Sequence, residues 1–183
     1  MGGFISAHPQ LCEPLEAVSR LSLPDCWVAA GFIRNAVWDR LHDRPFGASQ
    51  GDVDVIYFDA VALERSRDRE IEAACRAAIP GLDWSVKNQA RMHLRNGDSP
   101  YLDTAHAMTH WPETATAIGA RWRNGMVEVL APFGVDDLLS LRVRPTPAFQ
   151  HKLQIYRNRL SRKRWRARWP NLVVFDDLDD LGA

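Results

Sequence analysis

The segment Asp52-Val53-Asp54-Val55-Ile56-Tyr57-Phe58 constrains the chain more than any other. Successive side chains of a strand point to opposite faces, so Asp52 and Asp54 emerge on one side while Val53 and Val55 enter the core. Two carboxylates then converge on one spot and repel each other unless a cation sits between them. Hard oxygen ligands suit Mg²⁺ (or Mn²⁺), which takes one or two carboxylates plus waters and substrate phosphates. That arrangement serves two-metal phosphoryl chemistry, in which the attacking oxygen is activated and the leaving group neutralised. An Asp-x-Asp at a strand start is also what a solvated sheet edge would carry, so its surroundings decide.

Upstream, Cys26 to Ala30 has the length and apolarity of a strand, and Gly31 opens a helical pattern carried by Ile33, Val37, Trp38 and Leu41. A glycine between strand and helix lets an anion approach the backbone amides at the helix N-terminus. Arg34, one turn in, can reach the same anion with a forked guanidinium. A tight turn with a surface arginine would look the same.

The remaining pattern alternates helices with short strands. Leu11, Leu15, Val18 and Leu21 trace a first helix. Residues 42–51 read as a loop, Glu64 to Ile79 as a surface helix, Trp84 to Asn88 as a strand and Thr104 to His110 as a short helix. Ala117 to Trp122 and Val127 to Leu130 form a hairpin around Asn124-Gly125. Phe149, Leu153, Tyr156 and Leu160 trace one last long helix running through Trp165 toward Pro170. The expected fold is α+β of the α/β type: a short mixed sheet, helices against one face, and a helical C-terminal segment.

A chain of 183 residues holds one well-buried domain with an appendage. The expected organisation is a domain over 1–145, a basic helix over 146–172 packed on it, and an acidic tail over 173–183. Formal charge is zero overall, yet Arg142 to Arg168 holds ten Lys/Arg and no acid, while Asp176, Asp177, Asp179 and Asp180 close the chain. No apolar run approaches a membrane span and no secretory signal pattern opens the chain, so the expected compartment is the cytoplasm. Cys12, Cys26 and Cys75 lack metal-site spacing and are an odd number, which argues for reduced thiols.

Val28-Ala29-Ala30-Gly31-Phe32-Ile33-Arg34-Asn35 followed by Asp52-Val53-Asp54-Val55 resembles the head domain of CCA-adding enzymes and bacterial poly(A) polymerases, in the polymerase β nucleotidyltransferase superfamily. A closer resemblance, from the first helix to about Leu172, is to small bacterial nucleotidyltransferase-like proteins. It is carried by Trp84-Ser85-Val86-Lys87-Asn88-Gln89-Ala90-Arg91-Met92-His93, Trp111-Pro112-Glu113-Thr114 and Ala131-Pro132-Phe133-Gly134-Val135-Asp136-Asp137-Leu138. The resemblance implies metal-dependent transfer of a nucleoside monophosphate from a nucleoside triphosphate to an acceptor hydroxyl. Asp52 and Asp54 would be catalytic metal ligands, and Gly31, Arg34, Lys87 and Arg91 would bind nucleotide. The alternative is a nucleotide- or RNA-binding module that kept the scaffold and lost turnover.

Three departures stand out. Ala30-Gly31 replaces a glycine pair or glycine-serine, Asn35 replaces an aspartate, and position 85, which might have carried the third carboxylate, is Ser85. Glu128 is the first candidate for that third acid, followed by Asp83 and Asp103. Zinc at His106, His110 and Glu113 is disfavoured because Pro112 interrupts the helix. Asp136-Asp137 reads as charge at a helix start. The arginines of the last helix, interleaved with Tyr156, Trp165 and Trp169, offer an RNA contact or a merely solvated face.

Overall fold

The structure is a computed structural model that describes residues 1–45 and 51–176. Its sheet has five strands, β1 (Trp27–Ala29), β2 (Val53–Tyr57), β3 (Trp84–Asn88), β4 (Gly119–Arg123) and β5 (Met126–Leu130), in the order β3-β2-β1-β4-β5. β1 is antiparallel to β2 and β4, β4 is antiparallel to β5, and β2 is parallel to β3. A parallel pair needs a crossover, and the helix 65–78 between β2 and β3 supplies it. The mixed sheet is therefore as expected from the sequence.

The helices are α1 (Gly2–Ser6), α2 (Pro9–Ser19), α3 (Gly31–Leu41), α4 (Arg65–Ala78), α5 (Met92–Asn96), α6 (Thr104–Thr109), α7 (Asp136–Leu139), α8 (Pro147–Gln150), α9 (Leu153–Lys163) and α10 (Trp165–Arg168). Alternation decides which side they cover. Val28, Val53, Val55, Tyr57, Trp84 and Val86 share one core with Leu11 and Leu15 of α2, Val37 and Trp38 of α3, and Ile71 and Cys75 of α4. On the opposite face Trp27, Ala29 and Ile56 form a smaller cluster with Met108 of α6. Among the described residues no helix is long and apolar enough to cross a membrane.

The hairpin turns at Asn124 and Gly125, both with positive φ (51° and 77°), as a two-residue Asn-Gly loop requires. The expected single C-terminal helix is broken instead. Arg164 takes the left-handed conformation (φ 50°, ψ 37°) between α9 and α10. This turn puts Trp165 and Trp169 into the main core, where both rings stand edge-on to Trp38 at 5.5 and 5.1 Å. Residues 173–176, at the start of the segment expected as an acidic tail, lie against the domain. β7 (Val173–Val174) pairs in parallel with β6 (Arg142–Val143), and the Tyr156 hydroxyl lies 3.0 Å from the carbonyls of Val143 and Phe175. Asp177, Asp179 and Asp180 of the expected tail lie outside the described residues, as does the middle of the 42–51 loop.

Candidate active site

β1 ends at Ala29 and α3 begins at Gly31, with Ala30 as the hinge. Ala30 has φ 54° and ψ −124°, a region that favours glycine, and is held there by donating its N–H to Ile118 O (2.8 Å) and accepting from Arg34 N (2.9 Å). With a Cβ at this position the backbone carries strain. The antiparallel register sets Ala29 opposite Asp54, so the acid pair opens directly beside the helix N-terminus. A Cβ built on Gly31 would lie 3.7 Å from Arg34 Nη2 and 3.7 Å from Asn35 Nδ2. Packing does not demand glycine there, and its missing side chain leaves room next to two nitrogen donors.

Arg34 is only 4 % exposed. Its Nη1 donates to Thr116 Oγ1 (2.7 Å), its Nη2 donates to Asn35 Oδ1 (2.8 Å), and Nε finds no partner in the protein. The guanidinium lies 4.4 Å from the Trp165 ring centre and 4.9 Å from that of Trp38. Burial pulls its pKa down to about 10, against the opposing pull of Glu113. Among the described residues this buried cation forms no ion pair, which is an uncommon and costly state for a charge.

Asp52 is exposed and Asp54 half-buried. Burial and the neighbouring Asp52 push the Asp54 carboxyl up to about 6, while a hydrogen bond from Ser85 and the charges of Lys87 and Arg34 pull it back. The acids share a cavity of about 200 Å³ with Gly31, Arg34 and Thr116, and its opposite wall comes from the C-terminal helices: Arg159, Lys163 and Arg168. The basic run thus contributes three cations to the cavity, Arg159 and Arg168 half-buried and Lys163 exposed. Arg159 is fixed by Glu113, which is fully buried and accepts from Arg159 Nε at 2.6 Å. The end of α10 is fixed by the buried Asp39, which accepts at 2.8 Å from Nε1 of Trp169, the residue that follows the helix.

The other expected residues lie elsewhere. Ser85 pairs with Asp54 across β2 and β3, and Lys87 lies two residues further along, in an adjoining cavity that meets the first at Asp54. Arg91 is not on that face. β3 stops at Asn88, whose side chain caps a 3-10 turn over Gln89–Arg91, and this turn delivers Arg91 into an ion pair with the buried Asp68. Asp68 also accepts from Tyr57 and from the Asn88 N–H, so Arg91 completes a structural cluster. Glu128 does not reach the acid pair. It lies on β5, beyond β1 and β4, on the order of 14 Å from β2 at the usual strand spacing. There it accepts from Arg121 Nε at 2.7 Å, and Arg121 in turn covers the Trp27 ring at 4.0 Å. Among the described residues no three His, Cys, Asp or Glu side chains gather as a metal site, so the acid pair stands without a third.

The sequence marks the basic residues of the last helix as an RNA contact or a solvated face and Glu113 as a disfavoured zinc ligand, and it does not place Arg159, Lys163 and Arg168 beside the acid pair. Their signal was indirect: Trp165 and Trp169 recur four apart amid arginines, which is the mark of a helix that buries one face and must aim its charges around it.

A model of the nucleotidyltransferase family matches residues 16–174, a span that includes both the acid pair and the C-terminal cations. An NMR structure of a protein described as revealing a CCA-adding enzyme head domain superposes with a TM-score of 0.85 at 33 % identity, covering 96 % of this chain and 94 % of that one. No curated protein matches the chain. Match, superposition and the geometry of the Gly31, Arg34, Asp52 and Asp54 corner agree: the chain belongs to the nucleotidyltransferase family.

Proposed function

We propose that the chain transfers a nucleoside monophosphate from a nucleoside triphosphate to an acceptor hydroxyl, with pyrophosphate leaving, and that it needs Mg²⁺ or Mn²⁺ to do so. The observation that carries this reading is a single cavity with two carboxylates on one wall and Arg34, Arg159, Lys163 and Arg168 on the others. A polyphosphate bound to a divalent cation satisfies both walls at once. The donor set fits the metal: two hard carboxylates, one of them penalised in its ionised form by burial and then by the other, ask for a cation between them.

Asp52 and Asp54 would hold the metal, which when bound neutralises the carboxylates and the departing pyrophosphate. The chain's own residues do the rest. The α3 N-terminus and Arg34 grip phosphate oxygens, the Trp38 and Trp165 rings keep water from Arg34, and Ser85 favours the ionised form of Asp54. Lys163 and Arg168 supply charge at the outer end of the cavity. RNA contact through α9 and α10 would fall to Arg162, Arg164 and Arg166, which are exposed.

The test is pyrophosphate release from each of the four ribonucleoside triphosphates, in the presence of RNA, protein and small-hydroxyl acceptors. Asp52→Asn with Asp54→Asn lowers release by about 10³-fold or more with the fold intact, since the metal contributes several kcal/mol. Undiminished turnover in this variant would remove the mechanism. Ser85, standing where a third acid would complete the site, favours a second reading in which nucleotide binds without turnover. Tight, metal-dependent binding with no pyrophosphate release from any acceptor mixture would select it.

A further inference from the structure

Resting on that reading, we infer that the adjoining cavity is the acceptor site and that it takes an anionic acceptor carrying a planar ring, of the nucleotide type. This cavity, about 350 Å³, meets the polyphosphate cavity at Asp54 and Arg159. Phosphoryl transfer sets the attacking and leaving oxygens roughly in line. With pyrophosphate leaving into the cavity of Arg34 and Lys163, the attacking hydroxyl needs a separate place beside Asp54, and the second cavity, which shares Asp54 with the first, offers one.

Its lining specifies the chemistry of what enters. Lys87, Arg95 and His110 line it, and Asp54 is the only carboxylate that does so among the described residues. Arg95 makes no ion pair among the described residues, and Lys87 donates only to Ser85 Oγ and Val86 O. With Asp54 engaged by metal, the field inside is positive, which attracts an anion and repels a polycationic acceptor such as an aminoglycoside. The half-buried rings of Trp111 and Phe149 supply flat apolar surface, on which a base stacks irrespective of its identity. Gln89 and Asn96 add amide groups for ring edges. In the transfer, the acceptor oxygen forms a bond to the α-phosphorus, the bond from that phosphorus to the bridging oxygen breaks, and pyrophosphate carries away the electron pair. The hydroxyl proton passes to solvent.

The experiment is calorimetric titration of the full chain, with Mg²⁺ and a non-hydrolysable nucleoside triphosphate analogue at saturation, using four probes: a nucleoside 3′-monophosphate, a single-stranded pentanucleotide, a neutral nucleoside and kanamycin. One or both anionic probes bind, weaken with salt, and lose about tenfold or more in affinity in Arg95→Glu and in Phe149→Ala, while the triphosphate analogue binds these variants as before. Binding of the mononucleotide points to a free nucleotide acceptor, and binding of the pentanucleotide alone points to a polynucleotide end. Kanamycin binding as tightly as the anions, anionic binding unchanged in both variants, or no anionic binding overturns the inference while leaving the transferase reading intact. Failure of the triphosphate analogue itself to bind removes both.

Discussion

Asp54 and Ser85 are register partners across the parallel strands β2 and β3, and the serine helps to hold down a carboxyl pKa that burial and Asp52 have pushed up to about 6. The sheet therefore presents two acids and a hydroxyl where three acids would make a fuller cation site. Replacing Ser85 with Asp adds a carboxylate at that register, and Mg²⁺ affinity is expected to rise about tenfold or more, since each added hard anionic ligand strengthens the site. Calorimetric Mg²⁺ titration of Ser85→Asp checks it. Equal or weaker binding would mean that the pair does not coordinate metal.

Metal binding is also expected to be linked to protons. Asp54 in the folded chain titrates near 6 instead of 3.8, so between those values the native state holds a proton that the unfolded chain has released. Asp54's contribution to stability therefore falls as pH rises from 3.8 to about 6 and is level above that. A metal needs the ionised carboxylate, so Mg²⁺ affinity should climb through about pH 6 and flatten beyond it. The same titration repeated on Asp54→Asn should show a flat profile; an unchanged climb would assign the proton to another group.

Ala30 sits in a backbone region that suits glycine. Ala30→Gly should relieve strain on the order of 1–2 kcal/mol and raise the urea midpoint without changing the slope. A loss of stability would show that the Cβ of Ala30 contributes more by packing than the strain costs.

Glu113 and Arg159 are an unequal pair: the acid is fully buried, whereas the arginine side chain is 28 % exposed at the cavity wall. Arg159→Ala strands a buried carboxylate and should destabilise by about 3–5 kcal/mol. Glu113→Gln leaves the arginine able to reach the water of the cavity and should cost less. Chemical denaturation of the two single variants measures the asymmetry, and equal costs would contradict it.

What the sequence made legible was what period and turn chemistry control. Val53 to Tyr57 alternates as a strand must, the Asn124-Gly125 turn closes its hairpin, and the strand, glycine and helix order around Gly31 places the acids beside a helix N-terminus. What it hid depends on long-range packing. Arg91 reads as strand-facing until Asn88 caps the strand and Asp68, twenty-three residues away, captures the guanidinium. Glu128 has the residue type of a third acid, but sheet order puts two strands between it and Asp54. The basic helix reads as an outward surface because a left-handed arginine at 164 has no sequence signature, and that one turn carries Arg168 back toward Asp52 and Asp54.

The central claim is that the acid pair and the facing cations form one metal-dependent nucleoside triphosphate site. Titrating each of the four ribonucleoside triphosphates into the full chain with Mg²⁺, with chelator, and in the Asp54→Asn variant tests it most directly. The account predicts binding with Mg²⁺ that is lost with chelator and weakened at least about tenfold in the variant. Binding that is indifferent to metal and to Asp54, or no binding of any triphosphate, would contradict it.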